Sequence, residues 1–149
     1  MKAEELPNRL NQAIAEFEEL FLNAPQVQSQ EILGSYLQRI FNDGQNTNGT
    51  QIGSYTPGRY KALRNKEGKR IDKVDLQFSG DLFRSIDTGT LGKDVVIGFT
   101  NAERSKIAAY LEERYGNVFT VQKKEEEEAA ELMLEYITEG TNAILKKWF

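Results

Sequence analysis

Apolar residues in the first forty positions recur with the period of an α-helix. Over residues 6–21 they fall three or four positions apart, which places them on one helical face, while glutamates take other faces. Pro25 disfavours helix in the residue before it, so the pattern predicts a break there. A second apolar stripe covers 27–41 and ends before Gly44. Residues 1–43 are therefore predicted to form a helical hairpin.

The chain then becomes polar and strongly basic. Residues 44–58 are rich in glycine and polar side chains, which is typical of a loop. From Arg59 to Lys73, seven basic residues face only Glu67 and Asp72, a net charge of +5 in a chain whose own net charge is −4. The pattern predicts a flexible polar and basic loop over 44–73. Its candidate partner-binding cations are Arg59, Lys61, Arg64, Lys66, Lys69 and Arg70.

Beyond residue 73 the apolar period shortens from helical to strand-like. Alternation predicts a strand over 74–78, an apolar run predicts a buried strand over 95–99, and a third short strand is predicted over 118–122. Polar and glycine-containing segments predict turns at 87–90 and 89–93.

Helices are predicted between and after these strands. A short one follows Ser79, and another is capped by Asn101 and stopped by Gly116. The last helix is long, begins with Glu125–Glu128, and contains Gly140, which predicts a bend or a close contact.

Together these elements predict an α+β fold in a single domain over 1–149. It comprises the N-terminal helical hairpin, the loop over 44–73, and an α+β core with a long C-terminal helix over 74–149. The sheet is expected to be small, mostly antiparallel and packed by helices.

Composition narrows the possible chemistry. The chain contains neither cysteine nor histidine, which excludes disulfides, thiolate or imidazole metal sites and a Ser-His-Asp triad. No apolar run approaches the length of a membrane helix, and the start of the chain lacks a signal-peptide pattern. A chain without either cysteine or histidine is poorly equipped for enzymology, so the composition favours a binding or assembly role for a soluble protein made in a cytoplasm. We further expect no enzymatic activity, cofactor, metal or small-molecule substrate.

Acidic clusters were weighed as catalytic or cation sites. Adjacent helical residues point about 100° apart, so the carboxylates of Glu125, Glu126, Glu127 and Glu128 do not converge on one ion as a hard cation requires. The same geometry separates Glu112 and Glu113. The run is better explained as a favourable start to a helix. An enzyme using carboxylates and lysine stays a third alternative, without a residue pair to carry it.

The basic segment 59–73 has three interpretations. It is a solvated loop, it docks on an acidic face of a neighbouring subunit, or it contacts nucleic-acid phosphates. For docking, the candidate acidic surface is Glu125–Glu128 on the next copy. A nucleic-acid-binding or regulatory module that uses 59–73 is the alternative function.

The middle of the chain, roughly residues 50 to 128, contains a series of short sequence motifs. These are Ile52–Thr56, Arg59–Lys61, Val74–Ile86, Val95–Phe99, Leu111–Gly116 and Phe119–Glu125. In their order and spacing they resemble the virion-morphogenesis proteins of tailed bacteriophages, the tail-completion or neck proteins of the phage Mu type.

This resemblance implies a structural virion component without catalysis, located at the neck or tail end after assembly in the bacterial host cytoplasm. Its partners would be copies of itself in a ring and other neck, portal, connector or tail-tube proteins, with DNA nearby during assembly and no contact with a membrane. The expected function is head–tail joining or tail completion.

Overall fold

The computed structural model describes residues 4–77, 79–91 and 94–149. The fold is α+β, as predicted, with a long helix near each end of the chain and a two-stranded antiparallel sheet between them. The elements are α1 (Leu6–Leu37) followed by a π-helical turn (Gln38–Asn42), α2 (Arg59–Lys66), α3 (Asp81–Arg84), β1 (Ile86–Leu91), β2 (Asp94–Phe99), α4 (Ala102–Tyr115) and α5 (Lys123–Trp148).

The predicted hairpin over 1–43 is wrong, because α1 is one continuous helix that includes Pro25. An internal proline costs about 3 kcal/mol through a lost hydrogen bond and a clash with the preceding turn. Buried residues lie on both sides of it, including Ala24 before and Ile32 after. Tertiary packing of most of the helix length outweighs this local cost. The predicted stop at Gly44 is confirmed by its left-handed φ of 64°.

The true helical partner of α1 is α5, which comes from the other end of the chain and runs antiparallel to it. Glu125, at the start of α5, pairs with Arg39 just beyond α1, whereas Lys147 near its end pairs with Glu16. Gly140 permits the close approach that was predicted as one of its two roles. A Cβ at this position would lie 2.3 Å from Leu20 Cδ1.

The sheet is smaller than the sequence predicts. The strand at 95–99 is confirmed within β2, but 87–90, predicted as a turn, forms β1, in which Gly89 pairs with Val96. Residues 74–77 do not form a strand, since Leu76 has a φ of 53° that breaks the extended run, and Phe78 lies outside the described residues. The predicted turn at 89–93 also falls partly outside them.

The predicted strand over 118–122 is also absent. Its backbone is held by side chains instead of by a neighbouring strand: Arg39 donates to the carbonyls of Val118 and Thr120, and Tyr36 donates to that of Phe119. The segment then leads into α5, where Gln122 and Glu125 form the capping box.

The predicted loop over 44–73 contains α2 and is attached to the rest of the molecule. Gln45 and Gln51 form a β-bridge, Thr47 N–H donates to Asn117 O at 3.0 Å, and Val74 N–H donates to Gly53 O at 2.9 Å. Basic residues 59–66 thus lie on a helix rather than in a loop.

Two groups of buried apolar side chains divide the molecule into regions that we call the head and the arm. The head core combines the end of α1 with residues from 52–118. The arm core is Ala13, Leu20 and Ile144, between α1 and α5, with Phe17, Tyr136 and Trp148 packed around it. The head core consists of Tyr36, Ile40, Phe41, Ile52, Val74, Leu82, Ile86, Ala108 and Val118.

None of the helices in the described ranges is both long and apolar enough to span a bilayer.

Candidate interaction surfaces

The basic segment forms part of the outer surface of the head. Arg59, Lys66 and Lys69 are exposed and Lys61 is half-buried, so α2 presents several cations on eight residues of helix. Arg70 is also half-buried, and it donates to the carbonyl of Asn42 and lies 3.4 Å from Asp72. Arg59, Lys61 and Lys66 are thus the predicted cations that α2 places on the surface of the head.

Arg64 is an exception, because its side chain is 1% exposed. Its guanidinium lies 3.0 Å from an Asp75 carboxylate oxygen and donates to the carbonyls of Arg70 and Gln77. The guanidinium carbon also lies 4.4 Å from the ring centroid of Tyr55. Arg64 therefore fixes α2 to the head, and the prediction that it contacts a partner is wrong.

Tyr55, whose ring lies against the Arg64 guanidinium, is also partly buried. Burial, reinforced by the negative charge of Asp75, raises the pKa of the Tyr55 phenol to about 12. Its hydroxyl donates to Asp75 at 3.4 Å, and its ring meets the Tyr60 ring edge-on at 5.7 Å. Tyr55 is thus a neutral, fixed wall at physiological pH.

The acidic run divides in the same way. Glu125 is 3% exposed and lies 2.6 Å from Arg39 Nε, so the prediction that it faces a neighbouring subunit is wrong. It also accepts the backbone N–H of Gln122 at 2.8 Å. Buried charges need this kind of pairing, because an unpaired one is costly to desolvate.

The other three acids of the run are exposed on α5. Glu127 and Glu128 lie 3.6 Å from Lys123 and Lys124, four residues earlier on the same helix. Such exposed pairs contribute a few tenths of a kcal/mol. Local neutralisation makes 126–128 a weaker anionic surface than the sequence suggests. Across the described residues, no group of three or more acids is placed to hold a metal ion.

The structure adds a cavity beside α2 that the sequence did not reveal. Its volume is about 370 Å³, within the range of pockets that hold small ligands. The C-terminal half of α4 meets α2 and the segment before it there. Four of the lining residues are tyrosines: Tyr55 precedes α2, Tyr60 lies on α2, and Tyr110 and Tyr115 lie on α4. The lining residues are Ser54, Tyr55, Thr56, Tyr60, Tyr110, Leu111, Arg114 and Tyr115.

Tyrosine and arginine are the residues most enriched where protein surfaces bind each other tightly. Tyr110 is 60% exposed at the cavity mouth, and the guanidinium carbon of Arg114 lies 5.3 Å from the Tyr115 ring centroid. With Arg59 and Lys61 flanking Tyr60, the region is both aromatic and cationic. We call the cavity formed by its eight lining residues the tyrosine cavity.

The second missed surface lies on the arm. The pattern of 6–21 puts Ile14 and Phe21 on the apolar face of the helix, yet they are 46% and 55% exposed, and Leu22 is 79% exposed. With Phe17 and Glu18 they form an open, largely apolar surface on α1. We call these five residues the arm face.

The signal for the arm face was present in the width of the apolar stripe. One neighbouring helix covers only part of a helix surface. Ala13 and Leu20 contact α5, whereas Ile14 and Phe21, each one position further, turn by about 100° away from it. A stripe that is too wide for one partner indicates a second one.

The chain matches no family model, and comparisons with curated proteins and with solved structures found no match.

Proposed function

We propose that this protein is a structural assembly component of a tailed phage or prophage, which joins head to tail or completes the tail as one subunit of a ring. The observation that carries the proposal is the arm face. Large exposed apolar patches on a folded protein mark sites of interaction. Here the patch lies on a helix that extends beyond the head.

Charge distribution supports the same function. Residues 4–22 of the arm carry five glutamates and one arginine, whereas 59–73 on the head carries a net charge of +5. Oppositely charged surfaces on separate regions favour the head-to-tail contacts that close a ring. The resemblance of residues 50 to 128 to tail-completion proteins is the reason for placing the chain in a virion.

The test is incorporation into particles. The tagged chain is expressed in the lysogen that carries its gene, the prophage is induced, and particles are separated on a density gradient. We expect the chain to co-sediment with complete particles, and deletion of its gene to leave unjoined heads and tails. A chain absent from every particle fraction, with normal assembly after deletion, would overturn the proposal.

One observation favours a second candidate, nucleic-acid binding. The exposed cations Arg59 and Lys66 lie on the same helix as Tyr60, which is 52% exposed, and the combination of cations with an aromatic ring suits single-stranded nucleic acid. Binding would weaken steeply as salt rises, because counterions are released from the phosphates. A gel-shift titration of the chain with single- and double-stranded DNA at several salt concentrations tests this. No shift at low salt removes the candidate.

A further inference from the structure

We infer that the arm face of one copy docks in the tyrosine cavity of the next copy. The inference rests on the proposed function, because it names the self-contact that a ring of this protein needs.

Charge complementarity selects the occupant. The arm face contains Glu18, and Glu19 follows it on the exposed side of α1. The tyrosine cavity contains Arg114 and lies beside Arg59 and Lys61 of the basic segment. Two arm faces docked on each other would bring glutamates together, and two tyrosine cavities docked on each other would bring cations together. Of the pairings between these two surfaces, the contact of an arm face with a tyrosine cavity is the one that places opposite charges against each other.

Side-chain chemistry fits the same pairing. Phe21 and Leu22 are apolar and project from the arm, whereas the cavity is walled by aromatic rings. An edge-to-face contact between Phe21 and these rings adds to the attraction that burial provides. The cavity also has room for such side chains, at about 370 Å³.

Helix geometry supplies the spacing. Ile14, Glu18, Phe21 and Leu22 follow one another at intervals of four, three and one, so they share one side of α1. This i, i+4, i+7, i+8 arrangement is the one by which an amphipathic helix lies in a groove of its partner. The arm therefore presents an anchor set that suits the cavity.

The contact has different surfaces on its two sides. Each copy then has one arm face and one tyrosine cavity to offer, and the chain of contacts closes into a ring when the rotation between copies permits. This asymmetry makes the inference testable by complementation between two defective variants.

The arm variant is Phe21→Ser with Leu22→Ser, and the cavity variant is Tyr110→Ser with Arg114→Glu. All four side chains are at least partly exposed, so the fold should survive, which circular dichroism checks. The matched control is Leu134→Ser on α5, where the leucine is 63% exposed outside both surfaces.

Sedimentation velocity over a range of protein and salt concentrations gives the readout. We expect the wild type and the Leu134→Ser control to form oligomers that weaken with salt. Each variant alone should associate at least tenfold more weakly. An equimolar mixture of the two variants should form a one-to-one dimer and stop there, because only one intact arm face and one intact cavity are present.

Other outcomes overturn the inference. Dimers of the cavity variant alone would show arm-to-arm contact, dimers of the arm variant alone would show head-to-head contact, and a wild type that stays monomeric throughout would show that neither copy binds the other. The absence of cysteine permits a second measurement. A mixture of Leu22→Cys and Tyr110→Cys chains should form the mixed disulfide in preference to either homodimer, and equal or greater homodimer yields contradict the pairing.

The result is separable from that of the proposed function. Normal incorporation of both variants into particles leaves the assembly role intact and removes the arm-to-cavity contact. Formation of the mixed dimer by a chain that enters no particle does the reverse.

Discussion

The head and the arm hold their helices together by different means. In the head, nine buried residues form a hydrophobic core, and two ion pairs, Arg39–Glu125 and Arg64–Asp75, are also buried. In the arm, the core has three buried residues, and the exposed ion pair Lys147–Glu16 also links α5 to α1. Much of the apolar surface of α1 stays exposed. Buried contacts are therefore concentrated in the head, whereas the arm retains surface that a partner can bury.

The largest effect is expected from breaking the head. Arg39→Met removes the guanidinium from a buried carboxylate and from the carbonyls of Val118 and Thr120. The unpaired charge of Glu125 should lower the free energy of unfolding by about 3–5 kcal/mol, measured by urea denaturation. The matched control Lys123→Met, which loses only an exposed pair, should lose under about 1 kcal/mol.

A further variant sharpens this prediction. Arg39→Met combined with Glu125→Met removes both charges and should recover part of the loss. If Arg39→Met were no less stable than the Lys123→Met control, the buried pair would not be what secures α1 to α5 at the head.

The next effect is expected in the arm core. Leu20→Ala should cost about 2–4 kcal/mol of local stability, because Leu20 is 8% exposed and packs near Gly140. Hydrogen exchange should accelerate along 10–22 while amides around Ile40 keep their protection. The control Leu22→Ala should change stability by less than about 0.5 kcal/mol. Equal acceleration in head and arm would mean that the two regions open as one unit.

A smaller effect is expected at Gly140. Gly140→Ala places a methyl group against Leu20, a strain of roughly 1–3 kcal/mol, but gains about 0.5–1 kcal/mol of helix propensity. A net loss of about 1 kcal/mol should appear in thermal unfolding. In a Leu20→Ala background the same substitution should become neutral or stabilising. Additive losses in this double-mutant cycle would contradict the close contact.

The smallest effect concerns the exposed pair of the arm. The hydrogen bond from Lys147 holds the pKa of Glu16 below its ordinary value of 4.5. Because the folded-state pKa is lowered, the stabilisation is present above pH 4.5 and is lost as pH falls through the folded value. The melting temperature difference between wild type and Glu16→Gln should therefore shrink on acidification. A difference independent of pH would rule out the pair as its cause.

Sequence was informative where structure is decided locally. The start of α4 at Asn101, whose side chain accepts the Arg104 N–H at 2.9 Å, and its end at Gly116 follow from capping rules. The long final helix and the strand 95–99 are also confirmed. These signals act within a few residues and need no distant partner.

Sequence failed where a distant residue decides. Pro25 locally predicts a helix break. The helix continues through it because α1 packs on α5, whose residues lie over a hundred positions further along the chain. Glu125 looked exposed because its partner lies 86 positions away. The tyrosine cavity was invisible for the same reason, since its walls assemble only in three dimensions.

The π-helical turn after α1 has a consequence for the arm face. Three consecutive residues there, Arg39, Ile40 and Phe41, are all buried, whereas Gln38 and Asn42 at the two ends of the turn are exposed. The turn cannot rotate about its own axis without displacing the buried guanidinium and the side chains packed around it. Residues some twenty positions downstream thereby help to fix the direction in which Phe21 and Leu22 project from the axis of α1. Substitutions at 39–41 would change the direction in which the arm face points, although these residues lie outside it.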